Sequence, residues 1–319
     1  MRTVIPDDGS HAPGLAELLS REVLVLDGAM GTELDARGVD TRHALWSARA
    51  LVEDPEAVAA VHADYVAAGA RVLTTNSYQA TVPAFERAGL GRAAALQALE
   101  TSARLAQEAA AEAAGSAAPV LVAGGLGPYG AYLADGSEYI GAYSVHVPDF
   151  EQVHRPCIEA LASQGLRLFA LETIPRLDEA RAVLDILTQT VPDAECWVSF
   201  QVRADGRTLA DGTPLAAAAA WADRCPAVSA VGLNCVPPPT VARALPVLGA
   251  ATRKPLVAYP NSGDVYDPAT KSWQTAQAAG RFTAGVPAWI DAGLRLVGGC
   301  CRTGPADTAV LARAVAGLD

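Results

Sequence analysis

No stretch of this 319-residue chain is apolar for long enough to cross a bilayer, and its first twenty residues lack the basic-then-apolar arrangement of a secretory signal. A cytoplasmic protein with no membrane partner is expected. There is also no cluster of Lys and Arg. The net charge of -11 is spread along the chain, so a nucleic-acid backbone would find no electrostatic footprint. No CxxC pair is present to close a structural four-thiolate metal site. No coiled-coil heptad or added arm signals self-association, and the oligomeric state stays open. The Gly-rich run Ala-Gly-Gly-Leu-Gly-Pro-Tyr-Gly at 123–130 is interrupted by Pro128 and is followed by no phosphate-binding Lys-Ser/Thr, which disfavours a nucleotide loop.

What is present is a repeating unit. Eight apolar runs of strand length can be marked: Val23–Asp27, Val72–Asn76, Val120–Gly124, Leu168–Glu172, Trp197–Gln201, Val228–Asn234, Leu256–Tyr259 and Leu294–Gly298. Ala-rich amphipathic stretches lie between most of them, at 55–68, 92–114, 149–164, 177–188, 239–248 and 280–292, and a last one at 305–316 closes the series. Continuous apolar strands alternating with helices describe parallel strands buried on both faces. Eight such units make a single (β/α)8 TIM-type barrel the economical fold, with residues 1–319 as one domain and 1–20 as an N-terminal extension. A doubly wound open sheet is disfavoured because no early strand, Gly-rich turn and helix is followed by a suitably spaced acidic residue.

A barrel of this kind carries its active site on the face formed by the C-terminal strand ends. The polar residues gather there: Asp27 ends the first strand, Thr75 and Asn76 the second, Glu172 the fourth, Gln201 the fifth, and Asn234 with Cys235 the sixth. Asn261 follows the seventh strand, and Cys300 and Cys301 follow the eighth. With no export signal, the six cysteines are expected to be free thiols. Cys157, Cys196 and Cys225 read as packing residues. Cys235, Cys300 and Cys301 supply the three protein ligands of an open catalytic metal site, provided that the backbone turns sharply at the adjacent pair, as Gly298 and Gly299 would permit. Buried packing thiols, or a vicinal redox disulfide between Cys300 and Cys301, are the competing readings. A soft thiolate set favours zinc, with iron and cuprous copper left open. Three thiolate charges exceed that of the ion and would keep a bound substrate thiolate electron-rich, which points to alkyl transfer onto sulfur rather than to hydrolysis.

The motifs resemble those of the homocysteine S-methyltransferases. They are Leu-Asp-Gly-Ala-Met-Gly-Thr-Glu-Leu at 26–34, Thr-Asn-Ser-Tyr-Gln-Ala at 75–80, Gly-Pro-Tyr-Gly-Ala-Tyr-Leu-Ala-Asp-Gly-Ser-Glu-Tyr at 127–139, Glu-Thr-Ile-Pro at 172–175, Gly-Leu-Asn-Cys at 232–235 and Gly-Gly-Cys-Cys at 298–301. The resemblance implies a Zn2+ ion on Cys235, Cys300 and Cys301, and homocysteine held through Asp27, Gly28 and Glu172. Asn234 and Tyr78 join them as substrate-side candidates. Two carboxylates suit the substrate ammonium, and backbone N–H groups near Gly28 suit its carboxylate. A cationic methyl donor would welcome aromatic faces, for which Tyr78, Tyr129, Tyr139 and Trp273 are candidates. The 127–139 run is similar to the branch that uses S-methylmethionine, with S-adenosylmethionine as second donor. Betaine as donor, a thiol or metal redox sensor, and a non-catalytic amino-acid-binding barrel are the alternatives. The polar segment Gly263–Gln277 could form a lid over the site.

Overall fold

The computed structural model describes residues 13–113, 119–267, 272–274 and 282–317. Eight strands form the barrel: β1 (Leu24–Val25), β2 (Val72–Thr74), β3 (Leu121–Leu126), β4 (Leu168–Ile174), β5 (Glu195–Phe200), β6 (Val228–Asn234), β7 (Leu256–Tyr259) and β8 (Leu294–Val297). All are parallel, β2 to β8 pair in sequence order, and β8 pairs with β1. A parallel bridge between Leu26 and Val72 completes the ring, supported by the Asp27 N–H donating to Val72 O at 3.0 Å. The expected (β/α)8 barrel is therefore the fold.

Strand periodicity sorts the side chains into two cores. Leu168 and Ala170 of β4, Trp197 of β5, Ala230 of β6 and Val257 with Tyr259 of β7 fill the barrel interior. Their alternates, Phe169, Leu171, Val198 and Val231, pack outward against the helices. The same alternation carries on past Ala170 to turn Glu172 inward at the end of β4.

The long helices fall where the Ala-rich stretches indicated, including Pro55–Ala67, Arg92–Glu112, Val147–Ser163, Leu177–Thr190, Pro238–Ala251 and Pro305–Ala316. The stretch at 280–292 is mostly shorter structure, a 3-10 turn Phe282–Gly285 followed by a helix Val286–Asp291. A further helix, Leu215–Asp223, fills the gap between β5 and β6.

The N-terminal segment does more than extend the chain. Leu15–Leu19 form a short helix whose Leu15, Leu18 and Leu19 are buried in the interior cluster, against the starts of the strands. The Glu195 carboxylate at the start of β5 accepts the Leu15 and Ala16 N–H groups at 2.8 and 2.5 Å and so satisfies the first turn of that helix. The helix stops the N-terminal end of the barrel, opposite the face that carries the strand-end polar residues.

Candidate active site

At the C-terminal ends of β6 and β8 the Sγ atoms of Cys235, Cys300 and Cys301 all lie within 4.8 Å of one another, and those of Cys235 and Cys301 are 3.5 Å apart. Cys235 leaves β6 with φ at 50°, a left-handed conformation that costs a non-glycine residue about 1–3 kcal/mol. Its neighbours hold it there: its N–H donates to Tyr259 O at 3.0 Å and its carbonyl accepts from Asn261 Nδ2 at 3.2 Å.

The adjacent pair reaches the same point through a turn that lies one step later than the glycines. Thr303 N–H donates to Cys300 O at 3.0 Å, and Arg302, with φ at 66°, takes the left-handed position inside the turn. Gly298 and Gly299 serve a different need. A Cβ on Gly298 would stand 2.5 Å from the Leu26 Cβ, and one on Gly299 would stand 2.1 Å from Thr303 Oγ1, so the pair is required for close packing against β1 and the turn.

Three thiols that share hydrogen bonds do not titrate alike. Hydrogen bonding from Cys300 and Cys301 holds the Cys235 thiol well below its ordinary range, and the same interaction with Cys235, followed by burial, holds the other two well above theirs. Displacing the remaining protons with one soft cation resolves that competition, and the donor set fits such an ion.

The carboxylates of Asp27 and Glu172 line the same pocket as the thiols. Asp27 accepts the Thr74 N–H at 2.7 Å on Oδ2 and the Thr74 hydroxyl at 3.0 Å on Oδ1. Burial nevertheless raises its carboxyl to about 7, against the lowering effect of those bonds. Glu172 accepts the Tyr259 hydroxyl at 3.2 Å on Oε2, and Tyr259 is itself fixed by Trp197 Nε1–H at 3.1 Å and by Ser199 Oγ. Burial, and then the charge of Asp27, raise Glu172 to about 8. A cation placed between the two would favour both charged forms.

Gly28 stands in the pocket wall, where a Cβ would meet the Tyr65 hydroxyl at 2.8 Å. Asn234 lines the pocket too, yet its amide is engaged elsewhere: Oδ1 accepts the Thr173 N–H at 2.7 Å and Nδ2 donates to Thr173 Oγ1 at 2.8 Å. It therefore fastens Thr173, at φ 60°, within the irregular stretch between Leu171 and Ile174 that follows directly on Glu172. Tyr78 borders the pocket with its ring edge-on to Trp46, the centroids 6.4 Å apart. Tyr139 places its hydroxyl 3.9 Å from Cys235 Sγ. Tyr129 is not part of the pocket wall. It packs with Tyr132, Tyr143 and Phe150, and its N–H is held by the buried Glu179 carboxylate, because the helix Tyr129–Leu133 turns it toward Val147–Ser163. The Trp273 side chain and residues 268–271 and 275–277 of the expected lid lie outside the described residues. Thr74, Glu138 and Gln79 are pocket residues that the motifs contained or adjoined without singling them out, and Tyr259 is a pocket residue that the sequence marked only as the end of a strand.

Comparison with known proteins agrees with this geometry. A family model described as homocysteine S-methyltransferase matches residues 24–315. The chain is 46% identical over 303 residues to the homocysteine S-methyltransferase of Escherichia coli K12, covering 94% of this chain and 97% of that protein. It is 42% identical over 289 residues to homocysteine S-methyltransferase YbgG of Bacillus subtilis, covering 89% and 91%. The crystal structure of the E. coli homocysteine methyltransferase MmuM in its metallated form superimposes with a TM-score of 0.84 at 44% identity, covering 93% of this chain and 98% of that one.

Proposed function

The chain belongs to the homocysteine S-methyltransferase family and transfers a methyl group to homocysteine, and on that premise we propose that it does so from a sulfonium donor, with Zn2+ as its metal. The observation that carries the reading is the meeting of three thiols with the buried carboxylates of Asp27 and Glu172 in one pocket. S-methylmethionine is the first donor and S-adenosylmethionine the second. The whole chain acts as one homocysteine-binding domain in the cytoplasm. Among the described residues no helix is long and apolar enough to cross a membrane.

Cys235, Cys300 and Cys301 would hold the ion. When bound, it supplies positive charge that lets the homocysteine sulfur lose its proton near neutral pH. The protein's own groups do the positioning. Asp27 and Glu172 take the substrate ammonium, Thr74 and Tyr259 fix the two carboxylates, and the backbone at Gly28 approaches the substrate carboxylate. Asn234 contributes through Thr173 rather than by direct contact. Tyr78 and Tyr139 offer ring faces to the positive donor. The thiolate lone pair forms the new S–C bond as the sulfonium S–C bond breaks, and that electron pair leaves with the donor as a neutral sulfide. No proton moves in this step, so its rate rests on alignment and desolvation.

The test is mass spectrometry of methionine formed from isotope-labelled homocysteine and unlabelled S-methylmethionine on the reduced, zinc-loaded protein. Labelled methionine above an enzyme-free control is expected, and Cys301→Ser is expected to lose metal and turnover together. Homocysteine binding without labelled methionine would reject this donor in favour of S-adenosylmethionine or betaine. A Cys301→Ser protein that kept full turnover without metal would overturn the metal's role.

A further inference from the structure

The pocket has a second acidic corner that the homocysteine contacts leave unused. Glu138, 6% exposed, and Gln79, 9% exposed, both line it. They arrive on different segments, Gln79 on the stretch between β2 and the helix Val82–Arg87, and Glu138 on the 3-10 turn Ser137–Tyr139 beyond β3. Gln79 Nε2 donates to Ala131 O at 3.1 Å, which fixes the amide, since the reversed orientation would set two carbonyl oxygens against each other. Its Oε1 then has no partner among the described residues, and neither has Glu138 Oε2. A Cβ on Gly130 would come within 2.4 Å of the Glu138 backbone nitrogen, so the turn that carries Glu138 is packed tight against that glycine.

A buried acceptor left unsatisfied costs about 1–3 kcal/mol. Both residues line one pocket, so a ligand there that brings hydrogen-bond donors would draw these two buried oxygens toward it, and the carboxylate favours one that carries positive charge. An ammonium group meets both needs, whereas a sulfonium centre or a quaternary ammonium carries no N–H. The corner is close to the chemistry, because Tyr139, next in sequence to Glu138, reaches Cys235 Sγ. Homocysteine's own amino group is already provided for by Asp27 and Glu172 on β1 and β4.

We propose that Glu138 and Gln79 receive the α-ammonium of the methyl donor, and so select a sulfonium amino acid over methyl donors that lack an N–H. The assignment rests on the sulfonium-donor reading above and adds a specificity to it. Glu138 and Gln79 bind the donor away from its reacting carbon, so their effect falls on donor affinity.

The experiment compares wild type, Glu138→Gln and Gln79→Met, all zinc-loaded, with S-methylmethionine and with dimethylsulfoniopropionate, a sulfonium that has a carboxylate but no amino group. Glu138→Gln is expected to raise the KM for S-methylmethionine at least tenfold, and Gln79→Met at least threefold. The KM for homocysteine and the zinc content should be unchanged, and turnover with dimethylsulfoniopropionate should stay within twofold of wild type. If Glu138→Gln folds poorly, Gln79→Met reads the same corner. The proposal is overturned if both variants keep the S-methylmethionine KM within twofold, if both donors lose equally, or if the homocysteine KM moves instead. A wild-type protein that uses dimethylsulfoniopropionate or betaine but not S-methylmethionine would sink the donor reading and this proposal together. Turnover of S-methylmethionine with unaffected variants would sink this proposal alone.

Discussion

Burial disfavours the charged form of Asp27, relative to water, by on the order of 4–5 kcal/mol, at roughly 1.4 kcal/mol per pH unit between 3.8 and about 7. An ammonium about 4 Å away returns about 4 kcal/mol at the effective dielectric of a protein site. A substrate ammonium held by the proposed contacts would offset a penalty of that order and favour the charged form of Asp27. The sign of the pH dependence follows. On the proposed contacts only the charged carboxylates would hold the ammonium, and the raised groups protonate below about 7 and 8, so affinity is expected to fall as pH drops through that range. Methionine, which has no thiol proton of its own, isolates the effect: its dissociation constant by calorimetry should rise as pH falls below about 8, by up to roughly tenfold per pH unit for each carboxylate that must be charged, and Asp27→Asn should remove the Asp27 share of that slope while Glu172 keeps its own. Asp27 and Glu172 were legible in the sequence because each ends an apolar run. Thr74 and Tyr259, which hold them, were not, since those bonds join residues 47 and 87 positions apart and depend on strand register. The glycines before Cys300 were visible, but their task was misread: the turn belongs to Arg302, and a left-handed arginine leaves no mark in composition.

The elements that alternate cleanly could be read directly, and those too short to show a period could not. Leu15–Leu19 is five residues long, less than two turns, so nothing in its spacing separates a barrel stopper from a loose extension. The helix Leu215–Asp223 is almost all alanine on both faces and gives equally little amphipathic signal. The N-terminal helix can be tested at Leu18, which is 6% exposed in the interior cluster. Leu18→Ala should cost about 2–4 kcal/mol in denaturant unfolding. The homocysteine KM should not change, because the helix and the thiols lie at opposite ends of the strands.

For the molecule as a whole, the barrel stands on its apolar cores and the metal serves the chemistry. The two hydrophobic clusters are built from strands and helices on all sides, and the thiols sit on their rim. Removing the ion with a chelator under reducing conditions should abolish methyl transfer while far-UV circular dichroism stays the same. Adding Zn2+ back should restore activity and raise Tm by the mass-action amount that a native-state ligand contributes. The eightfold repeat made this architecture the most legible property of the chain, because it asks only for alternation of apolar strand and helix and not for any particular contact. The stopper formed by Leu15, Leu18 and Leu19 carries a kinetic corollary. Among the described residues these leucines fill the strand-start end, which leaves the loop side as the approach to the thiols. On the proposed contacts homocysteine would lie deepest, against the thiols and the inward-facing Glu172, with the donor stacked above it, and product-inhibition kinetics are then expected to show the spent donor leaving before the newly made methionine.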